Sequence, residues 1–211
     1  MVTLYTTPLS ANGRKVLAVA HALGLAPTVK LVNVYRGEGR TPELLAVNPS
    51  GQIPALAEGD FVLAESNAIL VYLAEAHGDF ALWSREPRAR AAIARWLFWE
   101  AAAWQPALIP VLAAPVAQKL GLAPPEPAAV ARWDDPGFQR VARLLDAHLR
   151  DRAYVAGAGD APTLADFSVA GMMTYTRAAR FPFEAFPHVA AWYARVEALD
   201  AWKATATAPW A

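Results

Sequence analysis

The chain has no cysteine among its 211 residues. That absence excludes disulfides, thiolate metal sites and any catalytic protein thiol. Sulfur chemistry here must use a thiol carried by a ligand. Net charge is missing too, with 19 basic and 19 acidic residues. Nothing electrostatic then argues for nucleic acid or for an anionic membrane surface. No uninterrupted apolar run reaches the ~18 residues of a membrane span. Met1-Val2-Thr3-Leu4-Tyr5 lacks the basic start and apolar core of a secretory signal. The expected location is the cytoplasm. The histidines, His21, His77, His148 and His188, show no paired metal-ligand spacing, so surface or helix-end positions are expected and no metal site.

What is present is 55% hydrophobic residues, enough for a packed core and too much for disorder. The length suits one large domain or two small ones. Thr3–Thr6 reads as a strand and Pro8–Ala11 as a loop. Asn12–Leu23 reads as a helix ended by Gly24, with Val16, Val19, Ala20 and Leu23 at helical spacing. Thr28–Val34 alternates like a strand, and Thr41-Pro42-Glu43 starts a helix with a cap and a proline at its first position.

The stretch from Asn48 to Glu75 carries most of the functional information. Asn48-Pro49-Ser50-Gly51 is a turn cluster. Ile53-Pro54-Ala55-Leu56 is a strand opened by a proline, which cannot donate a ladder hydrogen bond. Glu58-Gly59-Asp60 turns the chain into Phe61–Ala64, and Glu65-Ser66 opens a helix with Ile69, Leu70, Tyr72 and Leu73 apolar. With the preceding elements this makes β-α-β-α-β-β-α.

Two consequences follow. A cis Ile53–Pro54 bond would turn the backbone groups of residues 52–53 outward, where an extended peptide can pair with them. The first turn of the Ser66 helix offers unsatisfied N–H groups and a positive dipole end to a carboxylate, while Glu65 offers a negative charge to an ammonium. A ligand with peptide groups at one end and an α-amino acid head at the other matches both features. Glutathione is such a ligand.

These segments, "SGQIPAL" and "ESNAILVYL", resemble the cis-proline loop and Glu-Ser γ-glutamyl site of cytosolic glutathione S-transferases. The resemblance covers essentially the whole chain and is closest to bacterial types with serine on the first-helix loop. It implies a thioredoxin-like α/β domain over residues 1–79, then an all-α helical domain over residues 86–211 that contributes the second-substrate site. It implies glutathione as co-substrate with no further cofactor, and a two-fold homodimer; Phe61 is open as an anchor of that interface or as core.

After Gly78–Pro87, read as a linker, the strand signals stop. Arg88–Gln105 reads as a long helix with Ile93, Trp96, Leu97, Glu100 and Trp104 on related faces. Pro106–Pro127 is proline-rich and expected to be broken, with Ala107–Leu120 helical in parts. Gly137–Arg150 is amphipathic through Phe138, Val141, Leu144, Leu145 and Leu149. Pro162–Arg177 is an apolar, buried helix, Val189–Leu199 is amphipathic again, and Trp202–Trp210 is a tail. Thr163-Leu164-Ala165-Asp166 is a capping-box pattern, so Asp166 is expected to be structural.

A free thiol has a pKa of about 8.5, so an enzyme using glutathione must stabilise the thiolate. The device expected is a donor at the start of the first helix, within Thr7-Pro8-Leu9-Ser10-Ala11-Asn12-Gly13-Arg14-Lys15. By resemblance Ser10 is the first candidate and Asn12 the second. Ordinary helix capping is the competing role for Ser10. Tyr5 is expected to be core. The resemblance also pairs Ile53 beside Pro54 with the cysteinyl unit, Glu65 and Ser66 with the γ-glutamyl head, and Gln52 with a peptide carbonyl or carboxylate. Arg36, Arg40 and Lys15 are open alternatives for the glycine carboxylate. Phe98, Trp99, Ala102 and Gln105, with Trp104, are candidates for the wall facing a hydrophobic electrophile.

The expected activity is alkyl or aryl transfer to the glutathione sulfur, with detoxification as its role. Ser10-x-Asn12-Gly13-x-Lys15 also resembles the loop of glutathione-dependent disulfide reductases, which keeps that reaction open. Isomerisation, dehalogenation, ether cleavage and non-catalytic glutathione binding are the remaining readings.

Overall fold

The computed structural model of the protein describes residues 1–157 and 159–206. Its first part runs β1 (Val2–Thr6), α1 (Ala11–Ala22), β2 (Thr28–Leu31), α2 (Pro42–Val47), β3 (Ala55–Glu58), β4 (Phe61–Leu63) and α3 (Ser66–Ala76). The sheet order is β2-β1-β3-β4, parallel between β1 and β2 and antiparallel elsewhere. The parallel pair needs a crossover, which α1 supplies. Alternation along the strands assigns the two faces. Leu4 and Leu56 are buried with Val16 and Val19 of α1 and Ile69, Leu70 and Leu73 of α3. Tyr5 and Ala55 face the other way, against Leu44 and Val47 of α2. Tyr5 is therefore a core residue, as expected from its strand position.

Several predicted boundaries shift. β2 ends at Leu31 rather than Val34, because Val34–Arg36 starts a 3-10 turn closed by Gly37 at φ 84°. Pro54 precedes β3 instead of opening it. The Gly78–Pro87 connection is packed: Trp83 is buried with its indole N–H on Glu75 Oε1 at 2.8 Å, and Leu82 C=O accepts from Leu164 N–H at 3.0 Å.

The second part holds only helical elements among the described residues. These are α4 (Pro87–Trp99), α5 (Gln105–Lys119), α6 (Pro136–Leu149), α7 (Leu164–Ala170), α8 (Thr176–Ala179), α9 (Pro187–Ala198) and α10 (Asp200–Lys203). Pro106–Pro127 is broken only in its second part: α5 continues through Pro110 and Pro115 to Lys119, and residues 120–127 are irregular. Leu108, Val111 and Leu112 bury its inner face, and that burial outweighs the missing N–H groups. The irregularity lies just ahead, in a π turn at Glu100–Trp104. Pro106 has no N–H for Ala102 C=O and its ring crowds that carbonyl, so the chain widens there.

Together α4 and α5 form a 33-residue helical run, long and apolar enough by length and composition alone to cross a membrane. Here its inner face, with Ile93, Trp96, Trp104 and Leu112, builds the core shared with the other helices. In α6 the core stripe is Phe138, Val141, Leu145 and Leu149, whereas Leu144, one residue or about 100° from Leu145, is exposed. The predicted Pro162–Arg177 helix is divided by a 3-10 stretch, Gly171–Tyr175. Trp202 belongs to α10 rather than to a tail, and Trp210 lies outside the described residues.

Two buried acids organise the packing. Asp166 accepts from Thr163 N–H (2.8 Å), Thr163 O–H (3.1 Å), Val155 N–H (2.7 Å) and Trp192 Nε1–H (2.9 Å). Burial pushes its carboxyl above the ordinary range, against the pull of these donors. Glu100 Oε2 accepts from Lys15 Nζ at 3.0 Å, Asn67 Nδ2 at 2.9 Å and Ser168 Oγ at 3.3 Å. The cation and the acid are 0% and 1% exposed. This ties α1, α3, the π turn and α7 to one carboxylate.

Asp166→Ala should cost about 3–5 kcal/mol of unfolding free energy by leaving several buried donors unpaired. Urea unfolding of both proteins measures it, and a loss below about 1 kcal/mol would deny Asp166 that role. Lys15→Met alone should cost a similar 3–5 kcal/mol by stranding the carboxylate, while adding Glu100→Leu should recover most of it. Equal midpoints for the single and double variants would count against a stranded charge.

Candidate functional site

The start of α1 faces the cleft between the sheet part and the helical part. Ser10 is its N-cap, at φ −89° and ψ 119°, and its Oγ accepts from Gly13 N–H at 3.0 Å. That bond occupies an acceptor site and leaves the hydroxyl proton to be donated elsewhere. Gly13 is required because a Cβ there would lie 1.9 Å from Thr6 Oγ1. It lets the first turn of α1 sit directly on β1.

The second helix start is that of α3. Glu65 precedes it at φ 65° and ψ 110°, a conformation that costs about 1–3 kcal/mol in a residue with a Cβ. Its side chain makes no capping bond, so the first-turn N–H groups of α3 and the carboxylate both remain available to a ligand. Glu65 and Ser66 line a cavity of 790 Å³ together with Asn12, Asn67, Glu100 and Gln105. Apolar residues of α3 and α4, among them Val71, Ala94 and Phe98, complete it.

A second cavity of 450 Å³ is lined by Ser10, Asn12, Tyr35, Gln52 and Gln105, and by Ile109, Leu112 and Val116 of α5 with Met172 and Tyr175. None of its lining residues is charged. Asn12 and Gln105 line both cavities. Asn12 Oδ1 and Glu100 Oε1 are buried acceptors without a hydrogen-bond donor among the described residues. Both lie at the 790 Å³ cavity, where a ligand ammonium or amide would satisfy them.

The remaining candidates are distributed as follows. The Ile53–Pro54 bond is cis. The backbone of Gln52 does not point outward as expected: its C=O accepts from Asn48 Nδ2 at 2.9 Å and its N–H donates to Ser50 Oγ at 3.3 Å. Ile53, Pro54, Arg36 and Arg40 line neither cavity. Arg36 and Arg40 are exposed, on a loop held to the Asn48–Gly51 turn by the close approach of Gly39 and Gly51. Lys15 is removed from the candidates for the glycine carboxylate, because it is fully buried and paired with Glu100.

Phe98 and Gln105 are at cavity walls, but Trp99 and Ala102 are not. Trp99 stacks on Trp104 at 5.7 Å, Trp104 is core with its indole N–H on Val169 C=O, and Ala102 is exposed. Trp99 closes α4 just ahead of the π turn, and Ala102 lies within it. Tyr35, Asn67, Glu100 and Tyr175 were not singled out for the site from sequence. Only Glu100 carried a signal, as a lone acid on the apolar face of its helix.

Family models for the glutathione S-transferase N-terminal domain and C-terminal domain match residues 4–82 and 108–200. Glutathione S-transferase 3 of Zea mays is 34% identical over 210 residues, covering 97% of this chain and 93% of that protein. A delta-class glutathione transferase of Nilaparvata lugens superposes with a TM-score of 0.80 at 27% identity, covering 98% of this chain and 100% of that one. A glutathione S-transferase I structure bound to lactoylglutathione gives a TM-score of 0.81 at 26% identity, with 97% of each chain covered. At this identity, over nearly the whole of both chains, the protein belongs to the glutathione S-transferase family and is a glutathione transferase.

Proposed function

We propose that glutathione lies with its γ-glutamyl head at Glu65 and Ser66, its cysteinyl unit beside Ile53 and Pro54, and its sulfur at Ser10. The observation that carries this reading is the capping bond of Ser10. Its oxygen accepts Gly13 N–H, so its proton is free for a thiolate at the mouth of an apolar cavity. The dipole of α1 adds to that donor. The sulfur then attacks an electrophilic carbon held against Ile109, Leu112 and Val116. A carbon–sulfur bond forms, and the leaving group departs with the electron pair of its own bond. An uncharged cavity favours a neutral, apolar electrophile, in keeping with a detoxifying role in the cytoplasm. Gln52 serves the peptide carbonyl or glycine carboxylate, and Arg36 or Arg40 on the adjoining loop neutralises that carboxylate.

The two functional units are residues 1–79 and 86–211. The exposed Phe61, Val62 and Phe98, at 42%, 44% and 75% exposure, support a homodimer that covers them. Phe98 is better placed for that contact than for an electrophile wall. A disulfide reductase is the second reading, favoured by Ser10 and Asn12 lining one cavity in a chain without cysteine. Activity on a model disulfide with none on aryl halides would select it.

Ultraviolet titration of bound glutathione should give a thiol pKa lowered by about two units, or roughly 2.7 kcal/mol of thiolate stabilisation. Ser10→Ala should return most of that shift and leave glutathione affinity nearly unchanged. Equal pKa values in the two proteins would transfer the role to Asn12, and binding with an unshifted thiol would indicate a non-catalytic binder. Sedimentation velocity at micromolar concentration should show a dimer, and a monomer there would remove the interface.

A further inference from the structure

We infer that Tyr175 is a positioning residue for the transfer reaction: its hydroxyl clamps the peptide groups on both sides of Ser10 and so aims the Ser10 hydroxyl. The inference rests on the reading of Ser10 as the thiolate donor. Tyr175 O–H donates to Leu9 C=O at 2.9 Å, and the same oxygen accepts Ala11 N–H at 3.1 Å. These contacts span 166 and 164 residues of chain. Together they fix the peptide planes before and after Ser10, and hence the direction of its Cα–Cβ bond.

The loop needs such a support. Between β1 and α1 it has no regular structure, Pro8 has no N–H, and Ser10 N–H reaches back to Thr7 C=O at 3.0 Å. The Thr7–Ser10 turn bond and the Ser10–Gly13 cap hold it locally. Tyr175 adds a constraint from the helical part, so the donor's aim depends on how the two parts of the chain pack.

Two features bring the phenol there. The 3-10 stretch Gly171–Tyr175 replaces α-helix. Over its length, 3-10 geometry turns the last side chain by about 100° and advances it by about 2.5 Å relative to an α-helix. Gly171 lets the stretch approach α1, since a Cβ there would meet Lys15 Cδ at 3.1 Å and Ala11 C=O at 3.4 Å.

Direct acid catalysis by Tyr175 is not supported. Burial pushes its pKa up to about 12, so it stays protonated, and that proton is already given to Leu9 C=O. Its lone pair in turn takes the Ala11 N–H, so the thiolate is left to Ser10 rather than to that amide.

The test is a thiol-pKa cycle on bound glutathione without electrophile, using wild type, Tyr175→Phe, Ser10→Ala and the double variant. Tyr193→Phe is the control. Tyr193 is equally buried, its hydroxyl donates to Met173 C=O at 3.1 Å in the same 3-10 stretch, and it lines neither cavity. Tyr175→Phe should lower the thiolate fraction at neutral pH about threefold and kcat/KM about tenfold, with glutathione affinity nearly unchanged. In the Ser10→Ala background it should add nothing to the pKa, because it acts through Ser10. Tyr193→Phe should lower the melting temperature and leave the pKa in place.

A Tyr175→Phe protein with the wild-type thiol pKa, while Ser10→Ala shifts it, would overturn the clamp and spare the Ser10 reading. No shift from Ser10→Ala would overturn both. If Tyr175→Phe does not fold, amide exchange of the unsubstituted protein decides: a slow Ala11 amide supports the clamp, and a fast one overturns it.

Discussion

The buried Lys15–Glu100 pair is the constraint on which the rest of this structure depends. A lysine and a glutamate at 0% and 1% exposure have lost nearly all their water. Their mutual attraction offsets that loss only if the geometry is good and the other polar atoms are paired. Burial holds the Lys15 ammonium below its ordinary pKa, against the pull of Glu100. Asn67 and Ser168 supply further bonds to the carboxylate and bond to each other at 2.8 Å. Misalignment of α1 or the π turn would leave a charge unpaired, and misalignment of α3 or α7 would strip hydrogen bonds from the buried carboxylate.

The consequence reaches the site because the network residues are chain neighbours of the functional ones. Asn67 follows Ser66, and Lys15 lies in the helix that Ser10 caps. One buried carboxylate therefore sets the distance between the starts of α3 and α1, the two proposed to take the γ-glutamyl head and the sulfur. The positive φ of Glu65 turns the chain so that the α3 start meets the cleft. Tyr175 adds the finer control, bridging Leu9 and Ala11 across the same cleft.

Much of this was legible in particular residues. The Glu65-Ser66 helix start, the capping arrangement of Asp166 and the core position of Tyr5 follow from local chemistry, whereas the cis bond at Pro54 came with the family resemblance. Where the reading failed, side chains had been judged one helix at a time. Lys15 looked like a surface cation because α1 alone cannot reveal that Glu100 waits on another helix. Trp99 and Ala102 looked like cavity wall because helical spacing alone does not show that Trp99 stacks on Trp104 or that Ala102 faces outward. The prolines of α5 looked like breaks because their cost is local, whereas the burial that outweighs it comes from partner helices.

The sequence by itself determined the order of elements, the absence of a protein thiol and the two helix starts at Ser10 and Ser66. These are properties of neighbours in the chain, set by backbone geometry, capping and residue type. Only the tertiary structure decided which polar groups are spent internally and which remain for a ligand. It buried Lys15, tied the backbone of Gln52 to Asn48 and Ser50, left Asn12 Oδ1 and Glu100 Oε1 without donors, and set the Tyr175 hydroxyl across Ser10. Such outcomes depend on partners up to 166 residues away, and no local pattern encodes a distance of that kind.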